Sequence, residues 1–247
     1  MNRLLVLLFA ILATVTAQAQ KTEGIATYER KTYWTKLINR MSFLSQEEKD
    51  RAAQTWKNDD ESKEKMKLAF NANESIYTYS SDEPSESGYS WRRSEFLLYR
   101  NFDKDKKTDI IEMLGKTYVI DDSLRTPTWK IGNQIKEVAG YICMKAEAED
   151  PIKKQKIVAW FAQDIPVPAG PERYTGLPGL ILELNVNDGD VVVEATNVNF
   201  KTLTPDDLKL PKTKGKKITD AQYDTIIRQH IAESMTAHRN PYWTIRY

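Results

Sequence analysis

Leu180-Ile181-Leu182-Glu183-Leu184-Asn185-Val186, Asn187-Asp188-Gly189-Asp190 and Val191-Val192-Val193-Glu194-Ala195-Thr196 form the stretch that decides the fold class. Asp-Gly suits the positive φ angles of a type I′ turn and both flanks alternate, so the stretch reads as a β-hairpin. With Asn187 facing Asp190, Leu182, Leu184 and Val186 lie opposite Ala195, Val193 and Val191, and this face is wholly apolar. The other face sets Asn185 against Val192, Glu183 against Glu194 and Ile181 against Thr196. Directly opposed carboxylates repel by up to ~1 kcal/mol, so something must relieve them. A solvated face with Lys residues from a neighbouring strand is favoured over a cation site or an acid/base pair.

Outward from the hairpin, the chain continues in the same style. Gly24 to Trp34, Met66 to Asn71, Ser75 to Tyr79, Trp91 to Phe102, Thr108 to Leu114 and Lys116 to Ile120 read as strands. So do Trp129 to Ile131, Val138 to Ala148, Gln155 to Ala162, Leu180 to Asn187 and Asp190 to Phe200. Turn-rich stretches such as Ser81 to Gly88 separate them. Successive strands without intervening helices predict an antiparallel meander of about ten strands. Two helices interrupt it. Ser45-x-x-Glu48 is a capping box that opens a polar helix running to about Asn58, inserted near the N-terminus. Thr219-x-x-Gln222 opens a second, whose Tyr223, Ile226, Ile227, His230 and Ile231 recur at helical spacing and predict a face docked on the sheet. Leu203 to Lys217, rich in Pro and Lys, reads as a loop.

Composition narrows the chemistry. The 247 residues carry 36 Lys plus Arg against 35 Asp plus Glu, a balance that argues against a nucleic-acid partner. One Cys excludes an internal disulfide framework, and two His leave little for a multi-His metal centre. Met1 to Arg3 is a short basic start, Leu4 to Leu12 is apolar, and Ala17-Gln18-Ala19 fits a signal-peptidase site. The apolar run is short of the ~20 residues a transmembrane helix needs, so residues 1–19 read as a signal peptide and 20–247 as one β-rich domain. Export to a periplasmic or secreted location is expected, with no transmembrane span after cleavage. In that oxidising setting the lone Cys143 reads as shielded.

Gly176-Leu177-Pro178-Gly179-Leu180-Ile181 stands out, with Gly140 to Ala146, Ala159-Trp160-Phe161, Ile165-Pro166 and Gly170-Pro171 upstream. On these residues the chain resembles the GLPGLI family of exported bacterial proteins, over about residues 129 to 200. The resemblance implies a signal peptide and a β-rich body but no established activity. The hexapeptide contains no nucleophile, acid, base or metal ligand. Pro178 and Gly179 suit a type II turn over Leu177 to Leu180, so Gly176 to Ile181 are expected to fix a strand start, with an exposed contact for a ligand or partner as the other reading.

Other constellations are weaker. His230 and Glu233 neighbour each other on the last helix, and His238 lies about 80° round from His230, so two ligands could converge and three less easily. No Gly-x-Ser-x-Gly or Cys/His pair with family spacing occurs. Aromatics around Tyr77, Tyr79, Trp91 and Tyr99, and around Trp129, Tyr141 and Trp160, suit either a core or a cavity lining.

The sequence thus predicts an α+β, mainly β fold: a curved antiparallel sheet, half-barrel-like, packed against a C-terminal helix. The half-barrel of periplasmic lipoprotein carriers is the nearest architecture by analogy. The expected function is non-enzymatic binding, without cofactor, of a small apolar ligand, a peptide or an envelope protein. The alternatives are metal handling through His230, Glu233 and His238, or hydrolysis at an unfamiliar site. Expression in a host with a signal peptidase, followed by N-terminal sequencing, should give a chain starting at Gln20; a retained Met1 would overturn the export reading.

Overall fold

Strand-forming alternation is realised as twelve strands in one sheet, in a computed structural model that describes residues 22–80, 94–212 and 214–247. In chain order these are β1 (Gly24–Tyr33), β2 (Glu61–Phe70), β3 (Glu74–Tyr79), β4 (Phe96–Asn101), β5 (Lys106–Met113) and β6 (Lys116–Ser123). There follow β7 (Lys130–Val138), β8 (Tyr141–Asp150), β9 (Gln155–Ala162), β10 (Leu180–Val186), β11 (Val191–Phe200) and β12 (Lys216–Ile218). Helices α1 (Trp34–Asn39) and α2 (Gln46–Thr55) lie between β1 and β2, and α3 (Asp220–Thr236) follows β12. The expected signal peptide, the Ser81 to Gly88 turn and Trp91 lie outside the described residues.

The sheet order is β12-β6-β5-β4-β3-β2-β1-β11-β10-β9-β8-β7. Two antiparallel meanders, β1 to β6 and β7 to β11, are therefore joined where β1 pairs with β11. The short β12 adds in parallel to β6, where the sequence predicts only loop. The sheet is open and curved, and the C-terminal helix α3 contacts β6, as the α+β expectation has it.

The hairpin register is the expected one: Val186 faces Val191, Leu184 faces Val193 and Glu183 faces Glu194. The turn is wider than a two-residue type I′ loop, since all four residues from Asn187 to Asp190 lie between the paired Val186 and Val191. Asn187 (φ 49°), Asp188 (58°) and Gly189 (98°) are all left-handed, and Asp190 N–H donates to the Val186 carbonyl at 2.9 Å. Lys136 relieves Glu183, its Nζ 2.5 Å from Oε2. That Lys comes from the edge strand β7, reaching across rather than from an adjacent strand. The expected single strand from Val138 to Ala148 is instead a hairpin, because Ala139 (φ 50°) and Gly140 (82°) turn the chain between β7 and β8. Both capping boxes form as read, Ser45 with Glu48 and Thr219 with Gln222. Helix α2 buries no residue, and α3 buries Asp220, Tyr223, Ile227 and Ser234.

Pro178-Gly179 does not form the expected type II turn. Gly179 N–H donates to the Leu177 carbonyl at 2.8 Å, and Leu180 N–H goes to Ile165 at 2.9 Å. The left-handed position is Gly176 (φ 91°). Gly179 is required for a different reason: a Cβ there would sit 2.2 Å from the Ala162 carbonyl oxygen. Leu177, Leu180 and Ile181 are buried. Gly179→Ala should therefore lower the unfolding free energy by about 2 kcal/mol or more. Gly140→Ala, strained in φ but open around its Cβ, should cost about 1 kcal/mol, and denaturant titration compares the two.

Candidate functional site

On β1 the buried parity is Ala26, Tyr28, Arg30 and Thr32, so a guanidinium continues a row that begins apolar. Arg30 faces Glu64 across the β1–β2 pairing, Nη1 to Oε2 3.2 Å, and its Nε lies 3.3 Å from Glu172 Oε1. Glu172 belongs to the loop between β9 and β10, in left-handed conformation (φ 56°). Arg246 grips the same carboxylate with two parallel bonds, Nε to Oε2 and Nη2 to Oε1, both 2.8 Å. Its guanidinium also lies 4.2 Å from the Phe96 ring centroid and 3.3 Å from Glu64. Burial would raise the Glu172 carboxyl, but Arg246, Arg30 and Lys153 together hold it below its ordinary value.

The next residue, Arg173, points into a second charged cluster. Its guanidinium bonds Asp220, lies 3.6 Å from Asp109 and stacks over Tyr223 at 4.5 Å. Arg100 bonds Asp109, while Lys107 lies 2.5 Å from Asp220 and 3.4 Å from Asp109. Asp109 has no exposed surface; burial opposes its ionisation, yet Arg100, Lys107 and Arg173 pull it below the usual carboxylate range. Burial lowers the Lys107 ammonium despite these partners. Two consecutive side chains, Glu172 and Arg173, thus tie one loop to β1 and β3 on one side, through Arg30 and the Tyr77 hydroxyl, and to β5 and α3 on the other.

Both clusters border a half-open cleft of about 1010 Å³ on the side of the sheet that β1, β4, β5, β10 and β11 share. Leu184, Val186, Val191 and Val193 contribute apolar lining, and Trp34, Tyr79, Tyr174, Tyr223, Tyr242 and Trp243 contribute rings. Lys153, in the β8–β9 turn, donates to the Arg246 carbonyl at 2.6 Å. Burial lowers its ammonium to about 8, with Asp150 and Glu172 opposing the shift.

The aromatics that the sequence singles out divide between these regions. Tyr79 lines the cleft, and Tyr77 is buried beneath it. Tyr99 instead bonds Glu74, Trp129 donates to the Thr175 carbonyl, and Trp160 stacks with Lys136. Of the three metal candidates only His230 and Glu233 lie on α3; His238 falls past its end in left-handed conformation (φ 52°) rather than on the helix as expected, and all three go to separate partners. His230 Nε2 is 2.9 Å from the Thr244 hydroxyl, Glu233 accepts from Gln229, and His238 stacks on Phe43. Among the described residues no group of three or more His, Cys, Asp or Glu is arranged to hold a metal ion. Cys143 is buried and free, its thiol pushed up by burial to about 11.

The chain is similar over residues 149–183 to the family described as "Protein of unknown function (Porph_ging)". That short segment holds Lys153, Glu172, Arg173 and the Gly176 to Ile181 hexapeptide. No curated protein matches. Solved structures of PNGF-II share the fold. The structure of PNGF-II in C2 space group has TM-score 0.54 and 13% identity, covering 83% of this chain and 32% of that one. PNGF-II in P21 space group has TM-score 0.56 and 14% identity, covering 83% and 33%. The chain thus spans about a third of the PNGF-II chain.

Lys153 provides a test of the site's electrostatics. Its folded value near 8 lies below its ordinary 10.5, so between these pH values the unfolded chain binds more protons and stability must rise with pH. The difference in unfolding free energy between the wild type and Lys153→Met should climb across this window; a flat difference would show that the ammonium is solvated.

Proposed function

We propose that the chain is a non-catalytic binding module of the cell envelope whose cleft takes an amphipathic ligand, a peptide above all. The observation that carries this reading is a cleft of about 1010 Å³ with aromatic walls, apolar patches and two buried ion-pair clusters at its border. The volume suits a ligand of a few residues. The buried clusters are already dry and paired, but Arg125 and Arg173 at the cleft keep 57% and 31% of their side-chain surface exposed, and a wholly apolar ligand would strip that water at a cost of several kcal/mol per charge. A peptide offers backbone donors and acceptors to those groups and side chains to the rings. Export rests on the N-terminal sequence pattern, and the non-enzymatic reading rests on the sparse chemistry of a sequence with one Cys, two His and no recognised nucleophile motif.

Native mass spectrometry of the protein isolated without denaturation from envelope extracts should show a bound mass. Val193→Trp, which fills the cleft from its β11 wall, should remove it. A bound mass unchanged in that variant, or none in the wild type, would overturn the reading.

A further inference from the structure

Part of the cleft is filled by the chain itself, in the manner of a bound peptide. After α3, a single turn at Pro241–Trp243 leads into Thr244-Ile245-Arg246-Tyr247, which belongs to neither helix nor strand. Three consecutive side chains anchor it. Ile245 is buried, Arg246 enters the Glu172 fork, and the Tyr247 hydroxyl bonds Asp190 at 2.5 Å and accepts from Asn187 at 2.6 Å. Its backbone contacts with other parts of the chain are sparse: Leu114 N–H to the Thr244 carbonyl at 3.4 Å, and Lys153 Nζ to the Arg246 carbonyl. The segment is held mainly by its side chains.

The Arg246 pocket is built for a guanidinium in particular. Glu172 offers both oxygens to two N–H groups, Glu64 lies beside them, and Phe96 covers the flat face with Tyr79 at 5.9 Å. A planar fork over a ring with a bidentate carboxylate selects Arg over Lys, whose ammonium is a point charge with no face to stack. Glu172 is also ion-paired with Arg30, whose Nε lies 3.3 Å from Oε1, so one of its charge partners is a group other than the occupant.

The geometry points to an arginine-binding subsite formed by Glu172, Glu64, Phe96 and Tyr79, with Arg246 as its intramolecular occupant and an Arg–aromatic peptide as the ligand the cleft takes in its place. This rests on the peptide-binding reading above and names its specificity. The segment around Arg246 then acts as a tethered competitor that lowers the apparent affinity for a peptide in trans.

The test uses a fluorescein-labelled heptapeptide, Pro-Tyr-Trp-Thr-Ile-Arg-Tyr, and fluorescence anisotropy with the full chain. Arg246→Ala should bind it at least about tenfold tighter than the wild type, because the competitor has lost its anchor. A peptide with citrulline in place of Arg, equal in shape and uncharged, should bind Arg246→Ala about tenfold or more weakly. Glu172→Gln in that background should erase the difference. Should Glu172→Gln fail to fold, Phe96→Leu keeps the carboxylate and should weaken the Arg peptide several-fold by removing the stack. Equal binding of Arg and citrulline peptides to folded Arg246→Ala, or binding of neither, would overturn the subsite. A bound mass still displaced by Val193→Trp would in that case leave the broader binding function standing.

Discussion

Glu172 is the group on which the cleft depends. Its carboxylate is shared by Arg30 from the first strand and Arg246 from the segment after the last helix, residues far apart in sequence that it holds together with Glu64, which pairs with both. The arrangement is costly to form and costly to break. Desolvating a carboxylate and two guanidinium groups offsets much of their attraction, so the cluster adds little net stability over an apolar filling of equal volume. Removing one member leaves an unpaired charge in a dry site, a loss of about 3–5 kcal/mol. Such clusters fix geometry more firmly than they add stability.

Arg173 extends the constraint. It is the next residue after Glu172, and it lies with Asp109, Asp220 and Tyr223. One peptide unit therefore ties the loop to two separate charged clusters, while Gly179 closes against the Ala162 carbonyl at the loop's other end. The hexapeptide seats the loop, and the two charged residues upstream of it give the loop its place at the cleft. The matched segment at residues 149–183 spans both.

Much of the scaffold is legible in sequence, because period-two alternation and capping boxes act locally. The Val186–Val191 and Glu183–Glu194 pairings follow from counting residues on either side of Asp188-Gly189. Helix α3 follows from Thr219, Gln222 and the spacing of Tyr223 and Ile227. The three-residue left-handed turn was not legible, since Asn187 tolerates positive φ without requiring it. Nor was β12, whose Lys216 and Lys217 look like loop and which pairs only through β6. The charged clusters escaped for a stronger reason: Arg, Lys and Asp are ordinarily read as solvated. A signal was present in parity, however. Arg30 shares a face with Ala26 and Tyr28, and Lys107 and Asp109 share one with Ile111. A charge on the buried parity of a strand marks a partner elsewhere in the chain.

The pairing of β1 with β11 carries a consequence for how the chain acquires its fold. Within each meander every strand pairs with its neighbour in the chain, so each can gather its own pairings at less entropic cost than the seam between them. The seam between them joins Thr32 to Val191 and Gly24 to Phe200, contacts separated by most of the chain. Non-local pairing of this kind slows folding. The cleft straddles that seam, with Arg30 and Thr32 on one side and Val191 and Val193 on the other. Because its walls come from both sides of that seam, the cleft exists only where the two meanders have paired.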